Sequence, residues 1–271
     1  MPVSLVRRPA VAGRFYPAQR DVLLHDIKSY LAAPAAKVRA FGCVVPHAGY
    51  MYSGHVAGAV YARLDLPSRF IILCPNHTGM GKPIAVMSRG SWDTPLGQAE
   101  VDEPLASALL ASCHLASEDA DAHRAEHALE VQLPFLQAIR AKFTFVPITV
   151  GVGSFEPLHA LGEAMARIIS EAKEPVLIIA SSDMNHYEPD AITRVKDHKA
   201  IDKILALDAR GLFDVIMQED ISMCGYGPTV AMLTAAKGLG ASSAELVKYA
   251  TSGDISGDRN MVVGYAGVIV S

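Results

Sequence analysis

The sequence predicts an α/β fold, a three-layer αβα sandwich around a mixed, largely parallel central sheet. Three observations carry that expectation. Short apolar, β-branched runs alternate with longer stretches of helical periodicity, as they do in layered α/β proteins. Most internal strand runs are apolar at successive positions rather than at every second one, so both faces of the sheet need cover. No repeat, low-complexity tract or Pro/Gly/Ser linker divides the 271 residues, and such a length fits one large α/β domain. A single domain over 1–271 is expected.

In chain order, the expected strands are 42–45 (GCVV), 70–73 (FIIL), 143–150 (FTFVPITV), 175–180 (PVLIIA) and 261–270 (MVVGYAGVIV). Each is short and rich in residues that suit a pleated, buried surface. Helices are expected over 22–31, 53–64, 103–113, 158–172, 194–207 and 229–239, where apolar residues recur three and four apart and so share one helix face. With 51% hydrophobic and 19% charged residues, the chain can bury a core, which excludes the disordered and collagen-like classes. A net charge of −4 supplies no basic field for nucleic acid or an anionic membrane. The four cysteines, Cys43, Cys74, Cys113 and Cys224, form no C-x-x-C pair, so neither a disulfide scaffold nor a four-thiolate zinc site is expected. No secretory pattern and no run of about 18 apolar residues is present, which gives a cytoplasmic expectation. The glycosylation triplet Asn76-His77-Thr78 therefore carries no weight.

Function is suggested by the segments that leave the strands. GCVV runs into Pro46-His47-Ala48-Gly49, FIIL into Cys74-Pro75-Asn76-His77, and PVLIIA into Ser181-Ser182-Asp183-Met184-Asn185-His186. Ligands of open α/β sheets bind beyond the carboxyl ends of the strands, and three such loops can share one crevice. Cys224 lies just before the 229–239 helix, with Pro228 near the first turn. The partial positive charge of a helix N-terminus lowers a thiol pKa and favours the metal-binding thiolate; the competing reading is a buried, inert thiol. Cys43 and Cys113 are expected to pack, and Cys74 is left open. Two imidazoles and a thiolate form a three-ligand set that suits zinc, iron or copper. His186 would then act as a base for a phenol or water, its pKa held near neutral by Asp183. The competing role for Asp183 is a carboxylate capping loop amides.

A rival signal is His123-Arg124-Ala125-Glu126-His127, which fits H-x-x-E-H: two imidazoles on one helix face bind zinc and the carboxylate activates water. The acids of 117–122 suggest a helix start, and Pro134 should bend or end that helix. Otherwise Glu126 and His127 line or brace the crevice of the strand-end histidines. No dinucleotide, P-loop or nucleophile-elbow motif occurs in the sequence.

The ordered set Ala12–Pro17, Pro46–Gly54, Pro75–His77, Thr94–Gly97, Glu126–Leu136, Ser181–Asp183 with His186, Cys224-Gly225 and Val263–Ala266 resembles the Memo family, whose microbial members are called AmmeMemoRadiSam system protein B. That family is similar in fold to the LigB-type class III extradiol dioxygenases, which hold non-haem iron at the mouth of an αβα sandwich. The resemblance implies metal ligands at His47, His77 and Cys224, the last in place of the dioxygenases' Glu, and a general base at His186. It implies an iron or copper cofactor, with zinc as an alternative, and redox or dioxygenase-like chemistry on a small aromatic molecule. It also implies a rival role in binding a phosphorylated or tyrosine-containing peptide, with Tyr52 in the pocket and Phe15 where the family has Trp. AMMECR1-like and radical-SAM proteins are the partners it suggests.

Overall fold

A computed structural model describes residues 5–32 and 36–271. The chain runs β1 (Val6–Arg7), α1 (Arg20–Tyr30), β2 (Gly42–Val45), α2 (Tyr50–Arg63), β3 (Arg69–Pro75), β4 (Ile84–Val86), β5 (Ser91–Thr94), β6 (Gly97–Val101), α3 (Glu103–Ser112) and β7 (Ser117–Glu118). It continues through α4 (Leu133–Ile139), β8 (Thr144–Val150), α5 (Phe155–Ser170), β9 (Val176–Ser181), β10 (His186–Glu188), α6 (Asp190–Leu205), α7 (Ala209–Gln218), α8 (Tyr226–Gly238), β11 (Ala244–Thr251), α9 (Gly253–Ser256) and β12 (Val262–Val270). The strands form one 12-stranded sheet. Its centre, β8-β3-β9-β2, is parallel throughout, and β12 closes against β2 in the antiparallel sense.

Both faces of the central strands are covered, as their uninterrupted apolar runs require. In β3, Ile71 and Leu73 pack with Leu161 of α5, Ile201 of α6 and Val230 of α8. The intervening Phe70, Ile72 and Cys74 pack with Leu23 and Ile27 of α1, Tyr61 of α2 and Phe135 of α4. The strand period of two thus divides one sheet between two cores, and the three-layer αβα sandwich results. Cys43 and Cys74 belong to the second core and Cys113 to the first, so the open question over Cys74 resolves to packing. No described helix is long and apolar enough to cross a membrane.

Two local expectations are corrected. No α-helix spans the H-x-x-E-H segment: a single 3₁₀ turn covers Asp121–His123, and a second 3₁₀ turn begins at Glu130. Pro134 does not end a helix but lies in the first turn of α4, where its missing N–H costs no hydrogen bond.

Candidate metal centre

Because β9 sits between β2 and β3, the loops leaving the carboxyl ends of these parallel strands are neighbours. Together with the turn before α8 they enclose a cleft of about 550 Å³, lined by His47, His77, His127, Asp183, His186 and Cys224 among others. His47, His77 and Cys224 each direct a ligand atom to within 4.8 Å of the others'. His47 is buried, Cys224 half-buried, and His77 sits at the rim with 33% of its side chain open to solvent.

Hydrogen bonds orient each imidazole the same way. His47 Nδ1 lies 3.0 Å from Ser181 Oγ, and its Nε2 lies 3.2 Å from Cys224 Sγ. His77 Nδ1 donates to Glu126 Oε1 at 2.9 Å, the carboxylate–histidine pairing that supports metal-binding imidazoles. His186 Nδ1 donates to the Ser222 carbonyl at 2.9 Å. A proton on Nδ1 leaves Nε2 as the lone-pair nitrogen. β10 assists this placement: its pairing with β12 is irregular between His186 and Glu188, and Tyr187 has φ +60°. This bulge lets His186 face the cleft.

The electrostatics arise from burial and neighbours. Burial holds the His47 pKa well below the ordinary imidazole range, aided by His127, His77 and His186, and burial also lowers His127 and His186. Burial opposes protonation of His77 too, but its hydrogen bond to Glu126 and the nearby carboxylate charge outweigh that and raise its pKa. Glu126 shifts the other way: burial would raise it, and the bonds and charge of His77 lower it.

Three sequence expectations change here. Burial pushes the Cys224 thiol pKa up, the reverse of the helix-terminus expectation, because the low-polarity surroundings outweigh the weak field of α8. Asp183 does not bear on His186. Its Oδ1 accepts the backbone N–H groups of His47 at 2.8 Å and Ala48 at 3.3 Å, so the capping role holds, and burial raises its pKa to about 7. His123 stands apart from the ligand cluster, fully buried in a T-shaped contact with Trp92 at a ring separation of 5.6 Å.

Glu126 and His127 brace and line the crevice. Glu126 is fully buried beneath His77, accepting its backbone N–H as well as its ring N–H, and His127 stacks on the His77 ring at 4.7 Å. Glu126, His77 and His127 also form a second group whose ligand atoms lie close together, but the N–H that His77 Nδ1 donates to Glu126 makes this a support for His77. Phe15 meets His127 at 4.7 Å and forms a wall of the cleft. Tyr52 lines an adjoining groove of about 510 Å³ that shares Phe15 and Gly49 with the cleft.

Several supports escaped sequence reasoning. Ser222 links two loops: its Oγ accepts the His186 N–H at 2.8 Å, and its own N–H donates to Asn185 Oδ1 at 3.0 Å. Gly225 lets the Cys224 turn lie against the end of β9, where a Cβ would collide with Ser182 Cβ and the Ser181 carbonyl oxygen. The Arg7–Glu130 ion pair lies below; Glu130 also accepts the N–H groups of Ala10 and Val11 and the Tyr16 hydroxyl. This ties down the segment that delivers Phe15. Nothing in the spacing of these residues marks them, because each acts on a partner remote in the chain.

The family model described as Memo-like protein matches residues 7–269. Among curated proteins, a MEMO1 family protein of Methanosarcina mazei is 46% identical over 98% of this chain and 99% of its own length. Another, from Methanothermobacter thermautotrophicus, is 42% identical over 97% of this chain and 99% of its own length. A solved structure of an uncharacterized protein from Escherichia coli K12 superposes with a TM-score of 0.56 at 14% identity, covering 84% of this chain and 98% of that one. That likeness speaks to the fold alone.

Proposed function

We propose, for a chain that belongs to the Memo-like protein family, that the strand-end cleft binds a divalent metal through His47, His77 and Cys224 and carries out redox or dioxygenase-like chemistry on a small aromatic substrate. The observation that carries this reading is the convergence of two imidazole nitrogens and one sulfur, from three distant loops, within 4.8 Å. The donor set fits a soft or borderline metal with open positions, iron or copper first and zinc as the redox-silent alternative. When bound, iron or copper supplies electron transfer and an acidic position for an oxygen-bearing ligand.

The chain's own residues do the rest. Cys224 would hold the metal as its thiolate, its proton passing to solvent, and His47 Nε2, 3.2 Å from Sγ, would offer its lone pair beside it. His186, neutral because burial lowers its pKa and fixed through Nδ1 by Ser222, offers Nε2 as base for a phenol hydroxyl. Phe15 and His127, whose rings are tilted 49° to each other, offer ring faces against which an aromatic substrate can pack. Metal analysis after anaerobic reconstitution with Fe(II) or Cu(II) tests the reading: wild-type protein is expected to retain metal and Cys224→Ser to lose it. Wild-type protein that retains none overturns it.

A second reading, a binding module for a phosphorylated or tyrosine-containing peptide, is favoured by the adjoining aromatic groove of Phe15, Tyr16, Tyr30, Tyr50 and Tyr52. Oxygen uptake with catechol-type substrates separates the two, since a binder consumes none. The zinc hydrolase built on His123, Glu126 and His127 loses its basis, because the helix that would align the two imidazoles is absent over that segment.

A further inference from the structure

We propose that Tyr187 is a specificity-determining residue of the cleft, laying its ring against a flat, aromatic ligand at the mouth. The role deepens the reading above and rests on its aromatic substrate.

β10 pairs with β12 through His186↔Val263 and Glu188↔Val262. Two steps along β10 thus match one along β12, which makes Tyr187 the extra residue of a bulge. In an unbroken strand successive side chains point to opposite faces, so His186 and Tyr187 could not both serve one cleft. Here both line it, their rings 5.6 Å apart and tilted 59°. The bulge brings two rings to the cleft where a regular strand would bring one.

The backbone is strained to achieve this. Tyr187 has φ +60°, a conformation that glycine adopts freely and a bulky side chain rarely. Its neighbours hold the turn: the His186 N–H donates to Ser222 Oγ at 2.8 Å, and Glu188 accepts from Asn185 Nδ2 at 2.6 Å and pairs with Lys196 at 2.8 Å. None of these bonds uses the Tyr187 side chain. Glycine would aim His186 with less strain, so the aiming of His186 explains the bulge but not the ring. Packing does not explain the ring either, because Tyr187 is 69% exposed, more than any other large apolar side chain among the described residues. A strained residue with its ring at a cleft points to a ligand. Phe15 and His127 present ring faces to the same cleft, so a flat ligand meets aromatic surface inside and again at the mouth.

The test uses full-length protein loaded with zinc(II) and two probes that hold a metal through a pair of oxygens: catechol, which has an aromatic ring, and acetohydroxamate, which has none. In isothermal titration, Tyr187→Gly is expected to bind catechol about 3- to 10-fold more weakly than wild type, the range of one aromatic pair, and acetohydroxamate equally well. Tyr187→Phe keeps the ring and is expected to bind both probes as wild type does. In urea titrations the midpoint of Tyr187→Gly is expected to equal or exceed that of wild type, since glycine relieves the backbone at this position. Tyr187→Asn, which also tolerates this conformation, carries the test if the glycine variant does not fold. A ring that only supports the fold gives a lower midpoint and weakens both probes. That result, or a Tyr187→Gly protein that binds catechol as tightly as wild type, overturns the role and leaves the reading above standing. Wild-type protein that binds no catechol overturns the aromatic substrate of that reading, and this role with it.

Discussion

His47 and His123 are equally hidden from water, at 2% and 0% exposure, yet they sit in regions built on opposite principles. Both ring nitrogens and the backbone N–H of His47 have polar partners: Ser181 at Nδ1, Cys224 at Nε2, and Asp183 on the N–H. Around His123, Trp92 packs on the ring in a T-shaped contact, and neither ring nitrogen makes a hydrogen bond of good geometry among the described residues. Burial alone therefore does not mark a ligand. What marks His47 as the proposed ligand is a polar partner at Nδ1 together with an Nε2 that faces the cleft beside Cys224.

The sharpest way to break this contrast is metal content. His47→Ala is expected to weaken metal binding by more than the about 100-fold that loss of an outer support brings, whereas His123→Ala should leave metal stoichiometry unchanged. Elemental analysis of both proteins checks this, and a metal-free His123→Ala protein would reverse the assignment.

Next in size is Arg7, which belongs to the His123 region: it pairs with buried Glu130, donates to the His123 carbonyl at 3.0 Å and lies over Trp92. Arg7→Ala leaves Glu130 as an uncompensated buried charge and is expected to cost about 3–5 kcal/mol in chemical denaturation.

A smaller effect is the pH response of His123, whose pKa burial lowers to about 4 from 6.5. Below pH about 6.5 the unfolded chain takes up a proton that the folded chain refuses until about 4. Stability should therefore fall as pH drops through that window, by about 1.4 kcal/mol per unit from this group. His123→Phe should flatten that slope in urea titrations at pH 6.5, 5.5 and 4.5; an unchanged slope would place its origin elsewhere.

The smallest effect is expected far from both histidines, at Asp208, whose side chain caps α7 by accepting the Gly211 N–H at 2.8 Å. Asp208→Ala should lower stability by about 1 kcal/mol and leave metal content alone.

The central strands were legible because a fully buried strand is an unbroken apolar run: 42–45 coincides with β2, and 70–73 lies inside β3. β1, β4, β7 and β10 are two or three residues long, too short for any period to register. β11 alternates between half-buried and exposed positions along much of its length and was also missed. Within the cleft, the strand-end histidines and Cys224 were legible as residue types at strand and helix ends. Their supports were not, because Ser181 and Ser222 are common polar residues whose importance depends on a partner many residues away. The H-x-x-E-H pattern shows the converse. Its spacing suited a helix, but Arg7 donates to the His123 and Glu126 carbonyls in a stretch that turns instead of coiling.

The order of the chain also governs how the cleft comes into being. A ribosome releases His47 and His77 early, but Ser181, the partner of His47 Nδ1, comes later, and the sulfur arrives only with the turn before α8. No shorter nascent chain holds a finished cleft, so any cargo that needs all three donors is taken up only once synthesis is well advanced.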